Sequence, residues 1–402
     1  GATRRMNSAG PLSGLGPSRE AAPIILHMHA QTVLRNVRLA SGLVLMAFVT
    51  SHLANLIIGI HSLAAMEAWR ADLMDPWRTG VGQWLLLGSV CVHVALGLYS
   101  ISARRSLAMS RTDVAQLVLG VLTPPLLLNH VVATYMADQV TPDFDSAYGM
   151  MLAIYWSFAP GYAFQQLFVV VIVWVHGALG LYSWLVLKPI WRRIGGLVLP
   201  VLFAAPILAL VGFAESGKEV LEKLANDPAW KTHLTDNIDR IVKVTSQLEA
   251  FQTRALLVYG GLLLLAIGVL AARMLRDRLK PVRISYDGGR FAQGRRGLSV
   301  LELSRLNDIP HAHVCSARGR CGTCRVHVEA GAQALSPLND IERATLARVH
   351  ASEGDRLACQ ARVLGPGGCV TRLLPAYADA SAARLPQEWI ADAPAPAREP
   401  AS

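Results

Sequence analysis

Hydrophobic positions in this chain come in long unbroken blocks rather than in strand-like alternation. Six apolar segments, at about 39–60, 82–103, 114–136, 164–187, 196–214 and 255–272, each approach the ~20 residues that a bilayer-spanning helix needs. Between the last two, residues 215–254 carry charges of both signs, with Val220, Leu221, Leu224, Ile238, Ile241 and Val242 at helical spacing. That periodicity predicts helices outside the bilayer. The pattern divides the chain into four parts: a Gly/Ser/Pro-rich segment 1–32 expected to be disordered, a membrane domain 33–281, a further domain 282–375, and an Ala/Pro-rich tail or linker 376–402. No cleavable signal peptide is expected, because Ile24-Ile25-Leu26 is too short an apolar core.

Composition agrees with the pattern. Residues are 52% hydrophobic and 16% charged, against about 25% charged in soluble domains. The net charge of +10 does not point to nucleic acid, because the basic residues flank apolar spans instead of interleaving with aromatics. Topology and anionic lipid account for them better. Arg35 and Arg38 precede the first span, Arg104, Arg105 and Arg111 lie between the second and third, Lys188, Arg192 and Arg193 follow the fourth, and Arg273, Arg276, Arg278 and Lys280 follow the sixth. The 137–163 connection instead carries Asp138, Asp143 and Asp145 with no Lys or Arg. The positive-inside rule therefore sets both termini in the cytoplasm.

The sharpest chemical signal is Cys315-x5-Cys321-x2-Cys324, closed by Cys359 after another 34 residues. Four thiolates in a 3+1 arrangement are the donor set of a [2Fe–2S] cluster, and the spacing is a close variant of the plant-type pattern. A structural zinc site is the competing reading, but it usually presents two C-x2-C-like pairs and here only one exists. Ser316, Ala317, Gly319, Gly322 and Thr323 are small enough to let backbone N–H groups approach the sulfur atoms. Cys91 and Cys369 fall outside the motif and read as packing residues. A chain with six cysteines, four of them in one such motif, is not a disulfide scaffold, and the domain belongs on a reducing face.

A second signal lies in the apolar blocks. Val92-His-Val-Ala-Leu-Gly-Leu-Tyr-Ser100 in the second span recurs as Val175-His-Gly-Ala-Leu-Gly-Leu-Tyr-Ser183 in the fourth, and the first and third spans carry His52 and His130. Any one of these histidines reads equally well as a hydrogen-bonded helix contact. One on each of four successive spans points to function, since ionisable groups at that depth are costly. At 1.5 Å per residue, His93 and His176 lie ~14 and ~12 Å above the cytoplasmic edge, His52 and His130 ~20 and ~24 Å. In an antiparallel bundle, spans one and three are diagonal, as are two and four. His52/His130 then pair as axial ligands of an outer b-type haem and His93/His176 of an inner one. A single haem, or a purely structural role, remains the alternative. Gly59, Gly97 and Gly180 lie on ligand faces and remove bulk where a macrocycle would approach. Pro124-Pro125 is expected to kink the third span, and Arg104, Arg105, Lys188 or Arg192 to meet the inner propionates. His27, His29 and His61 near span ends read as solvated interfacial residues or a quinone site.

On these residues, 282–374 resembles the [2Fe–2S] ferredoxins, which implies a β-grasp (α+β) fold, and the five-residue first gap is nearer their adrenodoxin-like branch. Spans one to four resemble the dihaem cytochrome b anchors of succinate:quinone oxidoreductases. The whole arrangement is similar to the N-terminal region of membrane-bound class III adenylate cyclases of proteobacteria, which implies a bacterial inner-membrane location and a homodimer. Residues after Leu374 hold neither the length nor the paired aspartates of a cyclase domain, so the chain is expected to be a truncated or stand-alone relative. The overall expectation is an α-helical membrane protein with six spans and a C-terminal ferredoxin domain. Its partners would be membrane lipid, quinone or quinol, and a cytoplasmic electron donor, with no nucleic acid. Two functions stay open. One is a quinone-linked electron-transfer protein or oxidoreductase subunit. The other is a redox-sensing module of a cyclase. A transporter is disfavoured, because carboxylates are absent from the spans except Glu215 at a boundary.

Overall fold

A computed structural model describes residues 21–104, 107, 109, 111–186, 188, 190–279, 281–315 and 317–374, with backbone alone for 21–32 and 277. The expectations for 1–20 and for the 376–402 tail lie outside these residues. α1 (Ala21–Ile58) begins within the stretch expected to be disordered. Pro23 stands in its first turn, where a missing N–H costs nothing, and an apolar run follows.

α2 (Leu63–Leu73) and α3 (Asp75–Arg78) turn the chain into α4 (Gly80–Ser102). α5 (Arg111–Val131) stays helical through Pro124 and Pro125, and its irregularity comes later, as a π-helical turn at Val132–Met136 that leads into α6 (Ala137–Val140). α7 (Tyr148–Ala153) precedes α8 (Pro160–Leu185), and α9 (Trp191–Asn226) and α10 (Pro228–Arg278) complete the helical domain. α1, α4, α5, α8, α9 and α10 are each long and apolar enough to cross a membrane. α9 and α10 run past the apolar windows because 215–254 is amphipathic and the helices simply continue there as a hairpin.

α1 packs against α4 and α9, and α5 packs against α8. The α1–α9 crossing is close: a Cβ on Gly212 would fall 1.9 Å from the Leu56 carbonyl oxygen. Gly59 belongs to the same crossing, since its Cβ would meet Met66 and Ser216. Its smallness therefore serves helix packing, and the expectation that it clears room for a macrocycle is corrected. At the far end, α7 is buried from Gly149 to Ala153. Its N-terminal approach is held by the Gly149 N–H donating to Glu67 (2.8 Å) and the Asp145 N–H donating to Asn237 of α10 (2.9 Å).

The C-terminal domain is a five-stranded sheet in the order β2 (Phe291–Arg295), β1 (Pro281–Tyr286), β5 (Gly368–Arg372), β3 (Arg325–Ala330), β4 (Asp355–Leu357). β1 and β5 are parallel and the other pairs antiparallel. α11 (Val300–Leu306) starts with a reciprocal cap between Ser299 and Glu302, which satisfies two orphan amide donors. Its apolar face joins Ile284, Leu298, Val326, Leu357 and Val363 in one core. α12 (Asp340–Arg348) is fixed differently. Glu342, with no exposed surface, receives Arg356 at 2.8 and 3.0 Å and also the Leu357 N–H at 2.8 Å. This pair pins α12 to β4, two residues before Cys359.

One surface contact makes the stability of this domain depend on pH. His327 on β3 meets Asp355 at 2.9 Å. The hydrogen bond to that carboxylate raises the imidazole above its ordinary value. A raised folded-state pKa gives stability that is fully present below the unfolded value of about 6.5 and is lost as pH rises through the folded value. Melting of the full chain, followed in this domain between pH 6 and 8.5, should show a small fall with rising pH that disappears in His327→Gln. A fall of the same size in the variant would assign the titration to another group.

Candidate functional site

The loop between α11 and β3 winds through positive φ at Ala317, Gly319 and Gly322. Glycine at 319 and 322 is also a matter of space, because a Cβ there would come within 2.9 Å of Gln360, Ile341 or Val349. The loop is tied from outside. Thr345 Oγ1 donates to the Gly319 carbonyl (2.6 Å) and Gln360 Nε2 to the Ala317 carbonyl (3.2 Å). From inside, the Val314 N–H donates to Thr323 Oγ1 (3.0 Å).

This winding buries Cys315, Cys321, Cys324 and Cys359, all as free thiols. They hydrogen-bond in two pairs, Cys315 with Cys321 and Cys324 with Cys359. Within each pair the hydrogen bond favours the thiolate on one sulfur over the other. The hydrogen bond from Cys315 lowers Cys321 to about 5 and raises Cys315, and Cys359 is lowered in the same way by Cys324, which is raised. Backbone N–H groups at 319, 320, 321 and 323 also point at sulfur, as the small residues of the loop predicted. Among the described residues no three His, Cys, Asp or Glu side chains converge on one point. Two adjoining thiol pairs suit two metal atoms better than one, and so fit a [2Fe–2S] cluster better than a tetrahedral zinc. Cys369 lies on β5 and Cys91 on the outer face of α4, outside this group.

The four helical histidines also meet in pairs. The rings of His52 (α1) and His130 (α5) have centroids 6.0 Å apart, and those of His93 (α4) and His176 (α8) 6.2 Å apart. Every Nδ1 has a partner. His93 donates to the Arg38 carbonyl (3.2 Å) and His176 to the Gln116 carbonyl (3.1 Å). His52 Nδ1 lies 3.0 Å from the Tyr148 hydroxyl, and His130 Nδ1 lies 3.3 Å from that of Tyr155. Among the described residues no hydrogen-bond partner meets any of the four Nε2 atoms. A carbonyl accepts only, so at His93 this contact favours the tautomer with the proton on Nδ1 and the Nε2 lone pair free. At His176 the Gln116 Nε2 also lies 3.3 Å from Nδ1, beside the carbonyl at 3.1 Å.

The pairs also show what the sequence reading passed over. A Cβ on Gly42 would approach His93 Cε1 to 2.9 Å, and one on Gly120 would approach His176 Cε1 to 2.8 Å. Each glycine gives the imidazole of the neighbouring helix its space. α1 and α5 thus repeat one scheme: Arg38 or Gln116 supplies a carbonyl, a glycine follows four residues on, and the histidine of the other pair ten residues after that. The repeat was visible in α4 and α8 because long stretches of identical sequence carry it, whereas in α1 and α5 only a leucine (Leu39 and Leu117), the glycine and the histidine recur. Ten residues also put the two pairs about 15 Å apart along the helix axes. Of the other expected positions, Gly97 faces open space, and a Cβ on Gly180 would lie 3.4 Å from Gln116 Nε2. His61 is exposed in the turn after α1, Arg105 is outside the described residues, and so are the side chains of His27 and His29.

Comparison with known proteins bears on the C-terminal domain. A family model described as the 2Fe-2S iron-sulfur cluster binding domain matches residues 286–364. Chlorosome protein I of Chlorobaculum tepidum is 37% identical over 71 residues, covering 18% of this chain and 29% of that protein. Chlorosome protein J of the same organism is 30% identical over 84 residues, covering 21% and 37%. The chain therefore spans about a third of the length of these curated relatives. Among solved structures, an ISC-like [2Fe-2S] ferredoxin from Pseudomonas putida aligns over 24% of this chain and 94% of its own, at 21% identity and a TM-score of 0.22.

Proposed function

We propose that the C-terminal domain, a [2Fe–2S] ferredoxin domain, works in electron transfer. We propose that the whole chain is a membrane-bound electron-transfer protein, relaying electrons between that cluster, two b-type haems and quinone. Cys315 and Cys321 would hold one iron, and Cys324 and Cys359 the other. His93/His176 would hold the inner haem and His52/His130 the outer. The six apolar helices would cross the bacterial inner membrane, with the ferredoxin domain on the cytoplasmic side.

The observation that carries the haem reading is the meeting of the histidines in two pairs with anchored Nδ1 atoms and free Nε2 atoms. Two imidazoles on opposite faces of an iron, with metal–nitrogen bonds of about 2 Å, set ring centroids about 6 Å apart. A hydrogen bond on the other ring nitrogen is the usual support of such a ligand. Charge at the inner pair fits a haem as well. Arg104 lies close enough to Arg38 for the two to repel, and among the described residues no hydrogen-bond partner meets the buried Arg104 Nε. Propionates would satisfy both. A bound haem supplies one-electron chemistry at its iron. The protein's part is to fix both axial imidazoles, so that little reorganises as the charge changes.

Direction follows from potential. Plant-type clusters lie near −400 mV, below quinone couples, so flow runs from a cytoplasmic donor through the cluster to haem and quinone. A second reading, a redox-sensing module of a cyclase, draws support from α10. This helix continues from the distal hairpin to Arg278, leaving two residues before β1, and could carry a conformational signal to the ferredoxin domain.

The test is a dithionite-reduced spectrum of the purified protein, with haem and iron counted per chain. Two b-type haems and two cluster irons are expected. His93→Ala and His52→Ala should each leave one haem, with cluster iron unchanged, while His61→Ala should leave both. Absence of a b-type α-band from the intact protein would overturn the haem assignment and leave a membrane-tethered ferredoxin.

A further inference from the structure

The cluster loop does not face solvent alone. Arg318, between Cys315 and Cys321, donates from Nη1 to the Ser183 carbonyl (3.1 Å), and its Nη2 lies 3.8 Å from Asp113 Oδ1. Ser183 is in the last turn of α8 and Asp113 in the first turn of α5. Carbonyls at a helix C-terminus lack intrahelical partners and carry the negative end of the dipole, so a guanidinium there is favourable. Arg320, two residues on, is close enough to Arg35 of α1 for the two charges to repel, which puts a third helix beside the loop. β2 touches α10 on the same side.

The two helices that Arg318 bridges are those that define one histidine. α8 carries His176 seven residues before Ser183, about 10 Å along the axis. α5 carries Gln116, one turn beyond Asp113, whose carbonyl receives His176 Nδ1–H. It also carries Gly120, which makes room for that ring.

We infer that the 317–320 segment and the adjoining ends of α5 and α8 form an intramolecular electron-transfer interface, with Arg318 as its docking residue. The inference rests on the proposed haem reading and adds the route. One electron leaves the reduced cluster, which is oxidised by one, and reduces the ferric iron of the inner haem by one; no bond forms or breaks and no proton moves. The electron comes from a low-potential one-electron donor on the cytoplasmic side. Arg318 touches neither group in this scheme. It holds the loop against the two helices, so that the gap stays short.

The experiment uses the full chain in detergent, comparing the intact protein with Arg318→Glu and with Arg318→Asp/Asp113→Arg. Cluster and haem are followed separately after rapid photoreduction, and hydrogen exchange is measured on peptides covering 109–117, 179–186 and 315–325. Arg318→Glu should slow haem reduction by the cluster at least tenfold, raise exchange in the three peptides and leave the cluster and haem spectra unchanged, with the charge-swapped pair recovering much of both losses. Faster exchange with an unchanged rate would overturn the route while keeping the docking. Unchanged exchange and rate would overturn both. If the intact protein carries no haem, the functional proposal fails, and the exchange data alone then decide whether the domain docks through Arg318.

Discussion

Replacing Cys359 by serine is expected to abolish the cluster, with complete loss of the visible sulfur-to-iron absorption and of the electron paramagnetic signal of the reduced state. Cys359 arrives from beyond β4, with 34 residues between it and Cys324, and among the described residues is the only thiol paired with it. Without it the second iron would have one protein ligand, and a serine oxygen is too hard a donor for an iron–sulfide unit that selects soft thiolates. Cys369→Ser is the matched control. Cys369 pairs Ser285 and Ala330 across the sheet and lies outside the sulfur group, so its loss should leave iron content and spectra unchanged. Full iron loading in Cys359→Ser would show that the thiol pairs do not divide the irons as proposed.

Glu342→Ala should cost the ferredoxin domain about 3–5 kcal/mol, the range for removing one partner of a buried ion pair. Glu342 is fully buried and Arg356 nearly so. The substitution strands a guanidinium in the core and also removes the carboxylate that accepts from the Leu357 N–H. For a domain of this size the loss corresponds to roughly 12 °C or more in melting temperature, read in the full chain as the temperature at which the cluster absorption collapses. Glu342→Met with Arg356→Met removes both charges and should recover much of the loss, because a buried pair contributes little over apolar residues of similar volume. A drop of only one or two degrees in Glu342→Ala would mean that water reaches Arg356 and that α12 is held to β4 by its apolar contacts alone.

The sequence determined by itself whatever depends on local pattern. The helical blocks are legible because a lipid-facing surface demands some twenty apolar residues in a row. The cluster cysteines are legible because three of them must lie within one short loop to reach a common group. The histidines of the apolar helices stand out because an ionisable side chain in such a block has no bland composition to hide in. Even the distal hairpin could be read, since its amphipathic period continues the helix beyond the apolar window.

The tertiary structure decided everything that joins distant parts of the chain. Which thiols pair, that Tyr148 and Tyr155 reach the outer histidines, and that Glu342 locks β4 beneath Cys359 are contacts over many residues, with no signature at either end. The glycines show the point most clearly. Gly59, Gly42 and Gly120 are indistinguishable in a one-dimensional reading. A missing Cβ matters only through what approaches it, and that is the Met66 and Ser216 side chains in one case and an imidazole in the other two. Arg318 reads as one more basic residue in a loop until folding sets it against the ends of α5 and α8. Patterns of burial are written residue by residue, but partners are chosen by how the elements pack.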